Sequence, residues 1–231
     1  MIVFILGCST KTPSHTYTIW DTSEQTYKIE ITYQGTFRSN GSVQPDVFQN
    51  IDINATCKGN ASETTKQTLT CNMDIAPVFS GIVEAELKDN TIKNLRLPPN
   101  SQEVYDVIST AIGSILAPPT PMQCDTSQTY KEKKAQEHMR IPYLNGPSSH
   151  FHEYEILQCT PIHIAMQGKF TISAQSTENT SAPRFTFATT DQIQIDDNGY
   201  ITTRNYNQSL VTSTTTLAPN SVYQSITVHK K

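Results

Sequence analysis

Apolar and polar residues alternate along most of this chain. Tyr27-Lys28-Ile29-Glu30-Ile31-Thr32-Tyr33 switches at every step, which predicts a half-buried strand. Val47 to Ala55 continues in the same manner through Ile51 and Ile53. Ile82 to Leu97 reads as a hairpin turning at Lys88-Asp89-Asn90. In the second half, Ser149 to Gln158, Pro161 to Ala174, Arg184 to Ile195, Tyr200 to Ser209 and Ser221 to His229 are further strands. Asp196-Asp197-Asn198-Gly199 supplies a turn before the strand at Tyr200. It also resembles a calcium loop faintly, but Gln194 stands where the first carboxylate is needed, so the turn is expected.

One segment departs from period two. Val104, Val107, Ile108, Ala111, Ile112, Ile115 and Leu116 fall on one face at helical spacing. This predicts a helix over about 101–117, with Asn100 as N-cap, Glu103 completing a capping box, and an end before Pro118-Pro119. Tyr130 to Arg140 is left open between helix, by propensity, and strand, by its position; its charges read as a solvated face.

Composition supports this picture. The chain has 231 residues with 32 Thr and 20 Ser, and Ile outnumbers Leu 22 to 10, a β-branched bias that argues for strands. Apolar residues make up 36% and charged residues 16%, both below the usual share, so the core is thin and the surface is rich in hydroxyls. A net charge of −4 without Lys/Arg runs excludes an ordinary basic nucleic-acid binder. The expected class is mainly β (α+β): a curved antiparallel sheet or half-barrel with one central amphipathic helix. In element order alone it is similar to vitellogenin-type lipid-binding domains and to the half-barrel carriers of bacterial lipoproteins.

At the amino terminus, Met1 to Gly7 is apolar but far too short to span a bilayer. Ile5-Leu6-Gly7-Cys8 resembles the lipobox of bacterial lipoproteins. That resemblance implies cleavage before Cys8 and acylation of Cys8, with Ser9 implying sorting to the outer membrane. No Lys or Arg precedes the apolar run, so either translation starts upstream or the signal is silent. A buried first strand carrying an ordinary core cysteine is the other reading. The domain plan is then a signal remnant (1–7), a tether (8–24) and a single β-rich domain (25–231).

Cys57, Cys71, Cys124 and Cys159 form an even set, suggesting disulfides with three connectivities. The shortest closure pairs Cys57 with Cys71 around a hairpin loop and leaves Cys124 for Cys159. Five glycosylation sequons, at Asn40, Asn54, Asn60, Asn179 and Asn207, keep a secreted glycoprotein open as an alternative.

Candidate chemistry is sparse. No nucleophile elbow, phosphate loop or zinc-protease motif occurs, and no cofactor is expected. His150 and His152 would share one strand face and need a third ligand, such as His163 or His138, to hold a metal. Exposed strand-edge histidines are the simpler expectation. Val104, Ile108, Ile112 and Ile115 either pack permanently on the sheet or line a space for an apolar ligand. The function expected is a non-enzymatic, lipid-anchored envelope protein. It would touch the membrane through its lipid and bind an apolar molecule or another envelope protein. An adhesive β module and an unrecognised hydrolase are the alternatives.

Overall fold

The computed structural model describes residues 20–36, 38–39, 42–43, 47–60, 66–88, 91–116, 129–136, 148–160, 162–174, 184–213 and 221–231. Their thirteen strands are β1 (Gln25–Thr36), β2 (Arg38–Ser39), β3 (Ser42–Val43), β4 (Val47–Asn60), β5 (Lys66–Ile75), β6 (Phe79–Lys88), β7 (Thr91–Arg96), β8 (Thr129–Gln136), β9 (Ser148–Thr160), β10 (His163–Ala174), β11 (Arg184–Ile195), β12 (Ile201–Ser213) and β13 (Ser221–Lys230). A helix, α1 (Tyr105–Ile115), lies between β7 and β8, after a 3-10 turn at Gln102–Val104.

Eleven strands form one open sheet in the order β7-β6-β5-β4-β1-β13-β12-β11-β10-β9-β8, and β2 and β3 pair as a separate small ribbon. Neighbouring strands of the sheet are all antiparallel. The chain lays down the central strand first. It then meanders to one edge, carries α1 across, and meanders back from the opposite edge. β13 finally closes against β1, with Ile29 facing Val228 and Ile31 facing Ile226. Both edges carry charge in sequence, Lys93 and Arg96 on β7 and Lys131, Lys133 and Lys134 on β8, which discourages pairing with another chain.

The expected mainly β class with one helix is what forms, and β6 and β7 pair antiparallel with Lys88 opposite Thr91; Asp89 and Asn90 of the expected turn lie outside the described residues. Of the undecided segment, Tyr130 to Gln136 lies in strand β8, because the outer edge of the sheet offers β9 as a partner; residues 137–140 lie outside the described residues. Asn100 does not cap the helix. It adopts φ 65°, turning the chain after Pro98-Pro99. Ser101 opens the 3-10 turn without a side-chain cap bond. The α-helical part is therefore shorter than the pattern suggested. Trp20, assigned to the tether from sequence, is fully buried in the core.

Burial follows the alternation. Tyr27, Ile29 and Ile31 of β1 lie at 0% exposure while Lys28, Glu30 and Thr32 lie on the other face. The core is continuous from Leu69, Met73 and Val83 through β1 to Ile193 and Ile164, capped by Ile108, Ala111, Ile112 and Ile115 of the helix. Burying each such isoleucine contributes about 1.5–3 kcal/mol relative to exposure.

Cys57 and Cys71 face each other across β4 and β5 and are bonded, both fully buried. Their separation of 14 residues implies that the bridge contributes about 3 kcal/mol by restricting the unfolded chain. Changing both to alanine should lower the melting temperature by about 6–12 °C for a chain of this size. A calorimetric shift below a couple of degrees would show that the sheet holds without the bridge. Cys8 and Cys124 lie outside the described residues. The backbone places Cys159 opposite Ile164, and its side chain also lies outside the described set.

Candidate ligand-binding face

The helix-bearing face of the sheet is built from rows of opposed residues. One row runs Ile53, Ile29, Val228, Arg204, Ile193, Ile164. The next runs Ile51, Ile31, Ile226, Tyr206, Asp191, Met166. Both rows are apolar except where β12 crosses β11. There Arg204, Asp191 and Tyr206 stand in strand positions that otherwise face the core.

Arg204 explains itself through its partners. Its Nε donates to Asp191 Oδ1 at 3.0 Å and its Nη2 to Asp191 Oδ2 at 2.6 Å, a two-point pair. Its Nη1 reaches the carbonyl oxygens of Gly113 (3.3 Å) and Ser114 (3.2 Å), in the last turn of α1. A cation at a helix C-terminus also complements the helix dipole. Burial alone would push Arg204 toward losing its proton; the Asp191 carboxylate outweighs this and holds the guanidinium charged. Arg204 therefore fastens helix to sheet. The buried carboxylate among the described residues, Asp191 at 6% exposure, is taken up in that task.

Ile108, Ile112 and Ile115 are buried at 1% or less, and Val104 packs against the same cluster. Their first role is to seat α1 on the sheet. α1 makes its main contacts with β7, β1, β13 and β12. At 11 residues it is about 16 Å long, against roughly 48 Å across eleven strands. Beyond its reach the same face continues through Phe187 and Phe185 of β11, both buried, to Ile164 of β10 and Ile156 of β9. Phe170 and Phe187 face each other with ring centroids 6.2 Å apart.

Beneath and beside the helix, on β1, β12 and β13, lies a set of polar side chains. Tyr206 Oη donates to Gln208 Oε1 at 2.7 Å, and Gln224 Nε2 donates to Tyr33 Oη at 3.4 Å. Burial raises the hydroxyls of Tyr33 and Tyr206 above their ordinary value, with the Asp191 carboxylate adding to the shift at Tyr206.

A second buried cluster closes one end of the sheet. Trp20 packs edge-on to Tyr200 at 5.1 Å and against Tyr27 at 6.2 Å. Its backbone N–H donates to Gln67 Oε1 at 2.8 Å, and the Gly59 N–H donates to Asp21 O at 2.7 Å. The Asp196-Gly199 turn is confirmed there: Asp196 accepts from the N–H groups of Asn198 and Tyr200 and from Lys230 Nζ at 2.6 Å. Partial burial would raise the Asp196 carboxyl, but Lys230 and those N–H groups outweigh it and hold it below its usual value. Lys230 also sits 4.8 Å over the Tyr200 ring. Burial pushes the Tyr27 hydroxyl well up, with Asp196 contributing.

These tyrosines set an alkaline limit. A folded-state value above the unfolded value, near 10, gives stability that is full below about pH 10 and fades as pH rises toward the folded values. Phenolate absorbance should therefore appear in two stages: exposed tyrosines first, then Tyr27 and Tyr206 together with unfolding. A single ordinary titration with no accompanying loss of structure would refute this.

The histidine expectation fares differently. The backbone puts His152 opposite Phe170 and His150 opposite Ile172, and their side chains lie outside the described residues. His163 begins β10, seven residues before Phe170, or about 24 Å along the strand. It cannot complete a metal site with His152. His138 lies outside the described residues, among which no group of three metal-ligating side chains occurs.

Arg204 and Asp191 were missed as a pair although each carried a signal. Arg204 is in phase with Tyr206, and Asp191 with Phe187 and Ile193, on strands whose other in-phase residues are largely apolar. Pairing across strands could not be read without the register. No family model matches the sequence, and no curated protein matches it. Among solved structures, the chain is similar to one described as "Lipid-protein interactions in lipovitellin", with TM-score 0.49 and 10% identity over 92% of this chain. It spans 25%, a quarter, of that longer chain.

Proposed function

We propose that this protein is a non-enzymatic envelope protein, tethered to a membrane through acylated Cys8, whose helix-bearing face holds an apolar ligand. The observation that carries the ligand reading is the extent of the buried apolar face beyond the helix, an interior that a ligand would enter rather than a bare surface it would coat. A single 11-residue helix packs on the strands around β1, while apolar and aromatic positions continue past it to Phe187, Ile164 and Ile156. Binding there would bury the ligand's chain against β-branched and aromatic side chains, at about 25 cal/mol per Å² of apolar area. The tether rests on the resemblance of Ile5-Leu6-Gly7-Cys8 to a lipobox. No helix among the described residues is long and apolar enough to cross a membrane.

The two parts are tested separately. Palmitate labelling of cells making the full chain should mark the protein and vanish in Cys8→Ser; labelling that persists, or never occurs, removes the tether. For the ligand, solvent extraction of the purified protein followed by mass spectrometry should release an apolar molecule. A fluorescent fatty acid should then be taken up by the stripped protein and about tenfold more weakly by Phe187→Ala. An empty extract together with no uptake would remove the ligand reading and leave a purely structural sheet.

A further inference from the structure

The opposite face of the sheet has its own chemistry. Its outward positions on β11, β12 and β13 are Ala188, Thr190, Gln192 and Gln194; Thr203, Asn205, Asn207 and Ser209; and Tyr223, Ser225, Thr227 and His229. None of these twelve is Asp, Glu, Lys or Arg, where an ordinary surface would place roughly three or four. Nine of the twelve are Thr, Ser, Asn or Gln, on contiguous strands spaced at ~4.8 Å across and ~6.8 Å along. Thr190, Gln192 and Asn205 are exposed. The charged residues of the outer face lie on other strands, such as Lys28 paired with Glu30 on β1 and Lys169 on β10.

Solubility does not call for such a face, since charge serves that end better. Two features set it apart. First, Tyr223 is 37% exposed, the large aromatic residue that this face presents among the described residues. Its Oη donates to Asn207 Oδ1 at 2.7 Å, which fixes the ring and turns the Asn207 amide nitrogen away from it. Second, these side chains stand on paired strands whose backbone ladder fixes their spacing: Thr203, Asn205, Asn207 and Ser209 of β12 each lie directly opposite a patch residue on both sides. Their donors and acceptors are therefore held in place before a ligand arrives, which reduces the ordering cost of binding.

We infer that the outer face of β11–β13 binds a neutral polysaccharide. A sugar chain offers hydroxyls that both donate and accept, matching amides and hydroxyls, and apolar ring faces that stack on an aromatic side chain. It brings no charge and needs none. A polyanion would meet cations only at the two borders, Lys28 opposite His229 and Lys169 opposite Ala188, the first already paired with Glu30, and an apolar partner would have to strip water from amides and hydroxyls without replacing their bonds. This surface is separate from the helix-bearing face, so the inference stands whether or not an apolar ligand is found there.

Affinity electrophoresis of the full chain through gels holding dextran, mannan, xylan or a mixed-linkage β-glucan tests it, with heparin as the charged control. Retardation is expected with at least one neutral polymer and not with heparin. Tyr223→Ala and Thr190→Glu, both surface changes, should each weaken it about tenfold while the melting temperature stays within a few degrees. Asn72→Ala, exposed on β5 and three strands from β13, should bind as the unmodified protein does. No retardation by any neutral polymer, retention by heparin alone, or retardation unchanged in both patch variants would each overturn the inference. So would sedimentation showing that Thr190→Glu dissolves a dimer formed through this face.

Discussion

Replacing Arg204 with methionine lowers the stability of the protein by about 3–5 kcal/mol, because it leaves Asp191 buried without its partner. The carbonyl groups of Gly113 and Ser114 lose a donor in the same step. The Asp191 side chain is only 9% exposed, so water cannot restore what the guanidinium supplied. The damage should reach the helix: amide exchange at Ile108 to Ile115 should accelerate more than exchange in β4 and β5, which do not touch Arg204. Adding Asp191→Leu should recover most of the loss, since an apolar pair of similar volume suits the surrounding row of isoleucines. Chemical denaturation of the two single variants and the double closes the cycle. If Arg204→Met costs less than about 1 kcal/mol, the pair behaves as a surface contact and the helix is held by its isoleucines alone.

Gly59→Ala should be nearly as damaging, for a different reason. A Cβ at Gly59 would stand 2.0 Å from the Trp20 carbonyl oxygen and 2.3 Å from Trp20 Cβ. Those are backbone and near-backbone atoms, so no rotamer change relieves the clash. Trp20 must leave its site, taking with it the contacts to Tyr27 and Tyr200 and the bond to Gln67. The cost should approach that of Trp20→Ala, about 3–5 kcal/mol. The chain has one tryptophan, so its fluorescence reports the event directly. Red-shifted emission in Gly59→Ala, with a lowered denaturation midpoint, is the expected outcome. Unshifted emission would mean that β4 yields instead and Trp20 stays. In the Trp20→Ala background, Gly59→Ala should add much less than it does alone: the clashing O, C and Cβ atoms remain, but the indole contacts that held the segment in place are already gone.

The strands were largely legible because alternation along one strand is a local property. Ile29 and Ile31 must share a face whatever lies beside them, and β1, β4, β11 and β13 follow the pattern closely. The helix was legible for the same reason, though its start was not. Asn100 offered a capping residue, but the chain leaving β7 needed a turn there, and a positive φ took precedence. β8 was ambiguous because its sequence favours helix, and only an available edge on β9 makes it a strand. The disulfide between Cys57 and Cys71 could be proposed as the shortest closure; the β4–β5 register made it a bond between directly opposed residues.

The site was less legible. Ile108, Ile112 and Ile115 were singled out by spacing, yet spacing cannot distinguish a helix that seals a core from one that borders a ligand. Arg204 and Asp191 are 13 residues apart in sequence and become partners only because β11 and β12 pair in one register. Trp20 read as part of a polar lead segment because Asp21, Thr22 and Ser23 follow it, and what buries it comes from β1, β4 and the β11–β12 turn. The outer face shows the same division. The sequence by itself determined that about half of each strand would face outward and that many of those positions would be hydroxyl or amide, since period two and a high Thr content favour it. Only the tertiary structure decided that β11, β12 and β13 would lie side by side and gather those groups into one uncharged surface. Alternation is settled residue by residue, whereas adjacency depends on which backbone edges find each other across long stretches of chain.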